Sequence, residues 1–322
     1  MQHRRSLLAA LPLLATPAIA QTRWAPTRSV RVVVPFPAGG SPDVLTRLMA
    51  PHAQAALGQS VLVENRTGAG ATVGSSFVAR EAPDGHTVLA ATISSLTAPF
   101  MMSPVPYDPV RDFRALSLLA ITPTVLVTRP DFPARNVREW HEVIQRNPGR
   151  FTFASGGVGN PAHLAGELYR SMTRADITHV AFRGSAPALV EVRAGRVDFS
   201  ILDLPSAAAM IADRVVPALA VGTAERVPTL PDLPTLSESV APGFEAYSWV
   251  MWWVAAATPD NIAARLGEVA NEALRHPDVQ ARGSQAGFLL RGTDASAARA
   301  HVAAESEKWG RIIRERNITF EG

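Results

Sequence analysis

The order of apolar runs and Gly/Pro loops constrains this chain more than any single residue does. "VRVVVPFPAGGSPDVLTRLMAPHAQAAL" has an apolar run at Val30 to Val34, a Pro/Gly loop, and then Val44, Leu45, Leu48 and Met49 at helical spacing. "VLVENRTGAGATVGSSFVAR" repeats that order, with Val61 to Val63, a loop at Gly68 to Gly70 and a helix reaching Val78. "APDGHTVLAATISS" adds a turn at Pro83-Asp84-Gly85 and a strand from His86 to about Ala91. Strands alternating with helices predict parallel sheets with helices on both faces. In such sheets ligands gather at the carboxyl ends of the strands.

Two runs break the pattern. "AITPTVLVTRP" (120–130) and "YSWVMWWVAAATP" (247–259) are extended, β-rich and ended by proline, and the chain between them carries its own set of strands and helices. They read as two crossings between lobes. The second lobe then spans 125–248, and the first is assembled from 21–124 and 249–322, ending in helices at Asn261 to Leu274 and about Ala295 to Arg316. Two sequential domains with one linker are the alternative. A single core usually splits beyond about 250 residues, which suits two lobes in a chain of 322. Trp249, Met251 and Trp253 alternate along the second crossing as core residues do. "RVPTLPDLPTLSES" (226–239) reads as a proline-rich surface loop.

Residues 1–20, "MQHRRSLLAALPLLATPAIA", place Arg4 and Arg5 before an apolar run and small residues at Ala18 and Ala20. This is the pattern of an export signal cleaved after Ala20, by the twin-arginine or the Sec route, and it implies a periplasmic protein. The run is broken by Pro12 and Pro17 and is too short to span a bilayer. Of the formal net charge of +3, Arg4 and Arg5 supply two, so the exported chain carries +1 and lacks the footprint of a nucleic-acid binder. The sole lysine is Lys308 and there is no cysteine, which excludes thiolate and iron–sulfur chemistry, disulfides, a P-loop lysine and an active-site Schiff base in the strand–helix region.

"FTFASGGVGNPAHLAGELY" (151–169) contains a G-x-G-x-x-A match at Gly157, Gly159 and Ala162. In a dinucleotide fold an acidic residue about 20 positions on would bind the ribose. Here the next strand ends in Arg183, which suits at most the 2′-phosphate of NADP, and Pro161 removes an amide that could hold a phosphate. What the loop does offer is backbone donors from Ser155 to Gly159 before a helix starting near Pro161, a set that attracts a small anion. "PFPAGGSPD" (35–43) has the same logic, with Gly39 and Gly40, Ser41 as candidate N-cap and Pro42 at the first helical position. Ordinary αβ-loop glycine explains either loop alone. Two such loops, one per lobe, favour a cleft that grips a carboxylate from both sides.

His163 and Glu167 stand four apart on the predicted helix and supply half a metal site; without a third ligand nearby they read as a solvent-side pair, with His163 as a possible donor to a ligand. Asp203 ends an apolar strand, as a functional carboxylate or a helix cap. The chain has no G-x-S-x-G, H-E-x-x-H, S-x-x-K or P-loop, so it points to binding without turnover, and to no cofactor or metal.

Taken together, "VVVPFPAGGSPDVLTRLM", "VLVENRTGAGATVGSSFVAREAPDGHTVL", "FTFASGGVGNPAHLAGELY", "HVAFRGSAPALVEVRAGRVDFSILDLPSA" and "RVPTLPDLPTLSESVAPGFEAYSWV" resemble, in this order, the TctC or Bug family of tripartite tricarboxylate transporter substrate-binding proteins. The resemblance implies an α/β, type II-like two-lobed periplasmic binding protein, with two mixed sheets flanked by helices and joined by two crossing segments. It implies a monomer that closes on a small organic carboxylate (a di- or tricarboxylate, an acidic amino acid or an aromatic acid) and docks on membrane permease subunits, or serves a signalling partner as a sensor. By the same resemblance the ligand meets Phe36, Ala38, Gly39, Gly40 and Asp43, then Ser94, Ser95 and Thr97. From the second lobe it meets Ser155, Gly157, Val158, Gly159, Asn160 and His163, then Arg183, Gly184 and Asp203. Asn160, Phe182 and "SLTAPFM" depart from the family's commoner residues, at positions where ligand choice is made.

Overall fold

The computed structural model describes residues 23–104 and 106–320; the expected export segment and its cleavage point lie outside them. Strand β1 (Val30–Val34) leads to α1 (Ser41–Leu57), β2 (Val61–Asn65) to α2 (Thr72–Arg80), and β3 (Thr87–Ala91) to the short α3 (Ile93–Thr97). Next come the long β4 (Phe113–Thr128) and α4 (Val137–Arg146). The order then resumes as β5 (Phe151–Ser155), α5 (Pro161–Thr173), β6 (Ile177–Ala181), α6 (Ser185–Arg193), β7 (Phe199–Asp203), α7 (Leu204–Ala212) and β8 (Ala218–Val221). The chain closes with α8 (Leu236–Ser239), β9 (Tyr247–Ala255), α9 (Asp260–Arg275), α10 (Pro277–Gln285), β10 (Leu289–Leu290) and α11 (Ala295–Glu315). No helix among the described residues is long and apolar enough to cross a membrane.

The strands join in one curled mixed sheet, β2-β1-β3-β9-β4-β7-β5-β6, with β8 and β10 also on β4. Strand β4 links its two halves. Residues 113–123 pair antiparallel with β9, while 124–128 pair with β7 and β8. The changeover falls at Pro123, opposite Tyr247. Proline cannot donate to a ladder, so it suits the point where one set of pairings ends. The crossing begins seven residues earlier than its apolar run suggests, because register shifts between Ala115 and Ser117 and between Leu118 and Ala120 break the alternation.

The core is laid on both faces. One cluster fills the space between the β1/β3 face and helices α1 and α9, with Val32, Leu45, Leu266 and Trp252. A second lies under α6 and α7, with Val125, Leu189 and Leu202. The third runs along the other face of both halves and includes Trp249, Met251 and Trp253 together with Trp140, Phe153 and Trp309, so the alternating residues of β9 are buried as expected. At about 25 cal/mol per Å² of apolar surface, burying each indole contributes several kcal/mol.

Candidate ligand site

Strands β1, β2 and β3 are parallel to one another, as are β5, β6 and β7. Ala91, at the end of β3, pairs with Met251, and Asp203, at the end of β7, pairs with Thr124. Both carboxyl edges therefore point at the changeover near Pro123 and Tyr247, and helices α1, α2, α3 and α5, α6, α7 start on its two sides. The positive dipole ends of these helices face that point. Concavities of about 360 and 610 Å³ lie elsewhere, lined by His141, Met172 and Val240 and by Arg214, Pro217 and Leu230, and neither includes these loops.

In the first loop Gly40, not Ser41, is the N-cap of α1, and it lends no side chain. The Ser41 hydroxyl instead donates to Asp203 at 3.3 Å, a contact from the first half of the sheet to the second. Asp43 is buried and braces the loop: it accepts from the Gly39 amide at 2.9 Å, from Arg47 at 3.0 Å and from Asn65 at 2.9 Å. Burial pushes its carboxyl up, but these donors outweigh that and hold it below the usual carboxylate range. The Gly40 amide turns back to the Pro37 carbonyl at 3.3 Å. Ala38 is exposed and Phe36 half-buried, while the Ser41 amide has no partner among the described residues.

Ser94, Ser95 and Thr97 lie in α3 and are buried. Ser95 completes a capping box with Thr92, and Thr97 donates to the Ile93 carbonyl at 3.0 Å, so both are occupied within their own turn.

The second loop is more ordered than its glycines suggest. Asn160 is the N-cap of α5, accepting from the Ala162 amide at 2.8 Å, and Pro161 holds the first helical position. The Ser155 hydroxyl is 3.1 Å from both the amide and the carbonyl of Gly157, and 2.6 Å from Nε2 of His179. The Gly159 amide donates to Nδ1 of His163 at 3.0 Å. Gly157 (φ 127°) and Gly159 (φ 71°) adopt a backbone that L side chains rarely take, and a Cβ at Gly159 would overlap Met101. The amides left without a partner among the described residues are those of Gly156 and Val158.

His163 and Glu167 are not a solvent-side pair. Both are buried, with Nε2 and Oε1 3.9 Å apart, and Glu167 is held by Arg170 at 2.6 Å and by Arg316, beyond α11, at 3.0 Å. The helical spacing fixed that the two share a face, but not that the face turns inward. No group of three or more potential metal ligands lies among the described residues. Asp203 occupies the N-cap position of α7 without capping it; its carboxylate accepts from Ser185 at 2.7 Å, from Ser41 and from Ser206. Gly184 is the N-cap of α6, and Arg183 beside it is exposed, with no ion pair among the described residues.

Sequence reasoning missed His179, Ser185, Ser206, Met101 and Phe320. Except for Ser206, three residues after Asp203, their partners lie on other elements, as His179 does 24 residues from Ser155, and no local spacing marks such pairs. Phe320 donates its amide to the Met101 carbonyl at 3.1 Å, and its ring lies 3.8 Å from where a Gly159 Cβ would stand.

Burial holds both imidazoles neutral. His163 is pushed down to about 4 by burial and then by Arg170, and His179 to about 3 by burial and then by His163. The unfolded chain takes up protons near the ordinary imidazole value of 6.5, while the folded protein does not. Their contribution to stability is thus full above about pH 6.5 and falls as the pH drops toward 4, by up to about 1.4 kcal/mol per pH unit for each proton. Urea unfolding at pH 7 and pH 5 should show this loss, and His179→Gln should lose less. An equal loss in the variant contradicts the assignment.

Residues 45–318 match the tripartite tricarboxylate transporter family receptor, TctC. Among solved structures, the periplasmic binding protein BugD is 32% identical, with a TM-score of 0.82 over 91% of this chain and 99% of its own. A Rhodopseudomonas palustris protein with adipate is 30% identical (TM-score 0.84, 91% of this chain and 99% of its own). MatC from the same organism, with bound malate, is also 30% identical (TM-score 0.81, 89% and 99%). The α/β periplasmic binding protein fold, the helix starts facing one changeover and the family match agree: the chain belongs to the TctC family of periplasmic solute-binding receptors.

Proposed function

We propose that this protein captures a small organic carboxylate between two lobes, without turnover, and delivers it to membrane permease subunits of a tripartite tricarboxylate transporter. The observation that carries this reading is the convergence of six helix starts on one changeover, with the amides of Ser41, Gly156 and Val158 without a partner among the described residues. Such donors suit an anion of carboxylate size. The structures of relatives with adipate and malate support that class of ligand.

In this reading the lobes are 21–124 with 249–322, and 125–248, after export of a chain cleaved behind Ala20. The switch of β4 pairing at Pro123 supports the division. Capture proceeds by closure: the anion binds amides of one lobe, and the other brings its own, so affinity includes the closure equilibrium. Three contacts support a closed arrangement. They are Ser41 to Asp203, Gly159 against Met101, and Arg316 to Glu167.

The test is a thermal-shift panel of malate, succinate, adipate, citrate, glutamate and benzoate, with NADP as the contrast. A carboxylate at about one hundred times its Kd should stabilise the protein by about 2.7 kcal/mol, and NADP should not. Stabilisation by NADP and by no carboxylate overturns the reading.

A further inference from the structure

Behind the loop that follows β5, two histidines from different elements stack ring on ring. His163 of α5 and His179 of β6 have centroids 3.9 Å apart and planes within 18°, and the Phe153 ring flanks His179 at 4.9 Å. Each ring sends one nitrogen to the loop. His179 acts through the Ser155 hydroxyl on Gly157, and His163 accepts directly from the Gly159 amide. Alternate amides, 157 and 159, are thereby tied to the interior, and those of 156 and 158 remain for the cleft. Loops rich in glycine have many conformations of similar energy, so something must select the one whose donors converge.

We propose that His163 and His179 are positioning residues of the ligand loop, which present the Gly156 and Val158 amides to the anion by fixing Gly157 and Gly159 from behind. This rests on the reading that a carboxylate binds there. The device requires neutral rings, because a protonated Nδ1 on His163 becomes a donor facing the Gly159 donor. The charged groups around the pair are Glu167 and Arg170 from α5 and Arg316 from beyond α11; both arginines are engaged with Glu167, which leaves little negative charge to protonate the rings. Burial completes the effect.

The test compares His163→Leu with His163→Asn, whose side-chain oxygen can stand in for Nδ1, and His179→Leu with His179→Gln, whose amide can stand in for Nε2. Two readouts are taken on the full mature chain: hydrogen exchange of the Gly157 and Gly159 amides without ligand, and calorimetric Kd for malate and adipate. The leucine variants should lose protection at those amides and bind about tenfold more weakly or worse, as expected when a hydrogen bond that orders a site is removed. The Asn and Gln variants should stay within about threefold of wild type. Ser155→Ala, a small change, serves if a leucine variant does not fold; it should lose protection at Gly157 and weaken binding in the same way. Unchanged exchange and affinity in the leucine variants or in Ser155→Ala overturn the proposal, as does equal weakening by each leucine and its isostere. A wild-type protein that binds neither malate, adipate nor any other member of the panel overturns the carboxylate reading instead, while the exchange readout still judges the positioning.

Discussion

Gly157→Asp should fold and lose carboxylate-dependent stabilisation altogether. The space exists: a Cβ at this position would lie 3.5 Å from the Phe182 carbonyl oxygen, an ordinary contact. The backbone is the first cost, since φ of 127° strains an L residue by about 1–3 kcal/mol. The second cost falls on binding. A fixed carboxylate beside the Gly156 and Val158 amides competes for the same donors and repels an anion about 4 Å away by about 4 kcal/mol at an effective dielectric of 20. The affinity should fall by at least about a hundredfold, since each 1.4 kcal/mol is tenfold. Gly157→Asn carries the same bulk and strain without the charge, and should retain part of the binding by calorimetry. Normal carboxylate binding by a folded Gly157→Asp protein would remove this loop from the site.

The largest loss of stability should come from a methyl group at the changeover. Gly222 donates to the Thr124 carbonyl at 2.8 Å and accepts from the Ala246 amide at 2.8 Å, while the Thr124 hydroxyl donates to the Ala246 carbonyl at 2.6 Å. Gly222 is therefore wedged between β4 and the segment that enters β9. A Cβ there would overlap the Thr124 hydroxyl, lie 2.8 Å from the Ala246 carbonyl oxygen and 3.4 Å from the Phe244 ring. The hydroxyl can rotate, but the backbone oxygen can yield only by parting the two crossings. Gly222→Ala should cost about 3 kcal/mol in urea unfolding, at the upper end for overpacking by one methyl group. Gly267→Ala is the contrast: its Cβ would stand 3.5 Å from the Leu116 carbonyl oxygen on a helix, where alanine gains up to about 1 kcal/mol over glycine. Equal stability of the two variants would show that the changeover is not tightly packed.

Much of the fold is legible from local pattern, because each unit carries its own signal. The apolar run at Val30, the glycines after it and the helical spacing from Val44 identify β1 and α1 without long-range information, and Asn160-Pro161 marks the start of α5. The first half of β4 is not legible, since its bulges hide the alternation. Helix α10, PDVQARGSQ, has Val279 as its one large apolar residue and β10 is two residues long, so neither shows a period.

The site is legible only as far as the backbone determines it. Gly-rich loops before helices announce donors, but which donors stay free depends on side chains elsewhere. Ser41 has the composition of a cap, yet the backbone turn at Gly40 takes that position and frees the hydroxyl for Asp203. Asp43 has the placement of a ligand-facing acid, yet Arg47 and Asn65 draw it into the loop's support. His163 points inward because α5 packs between the second half of the sheet and α11, an arrangement no spacing within the helix encodes.

The most direct measurement is an amide-resolved titration of the mature protein with malate, adipate and the other carboxylates of the panel. At least one acid should produce saturable shifts at Ser41, Gly156 and Val158 together, with Gly157 and Gly159 remaining protected from exchange. Saturable binding that leaves all three amides unmoved would contradict capture of a carboxylate by these helix starts.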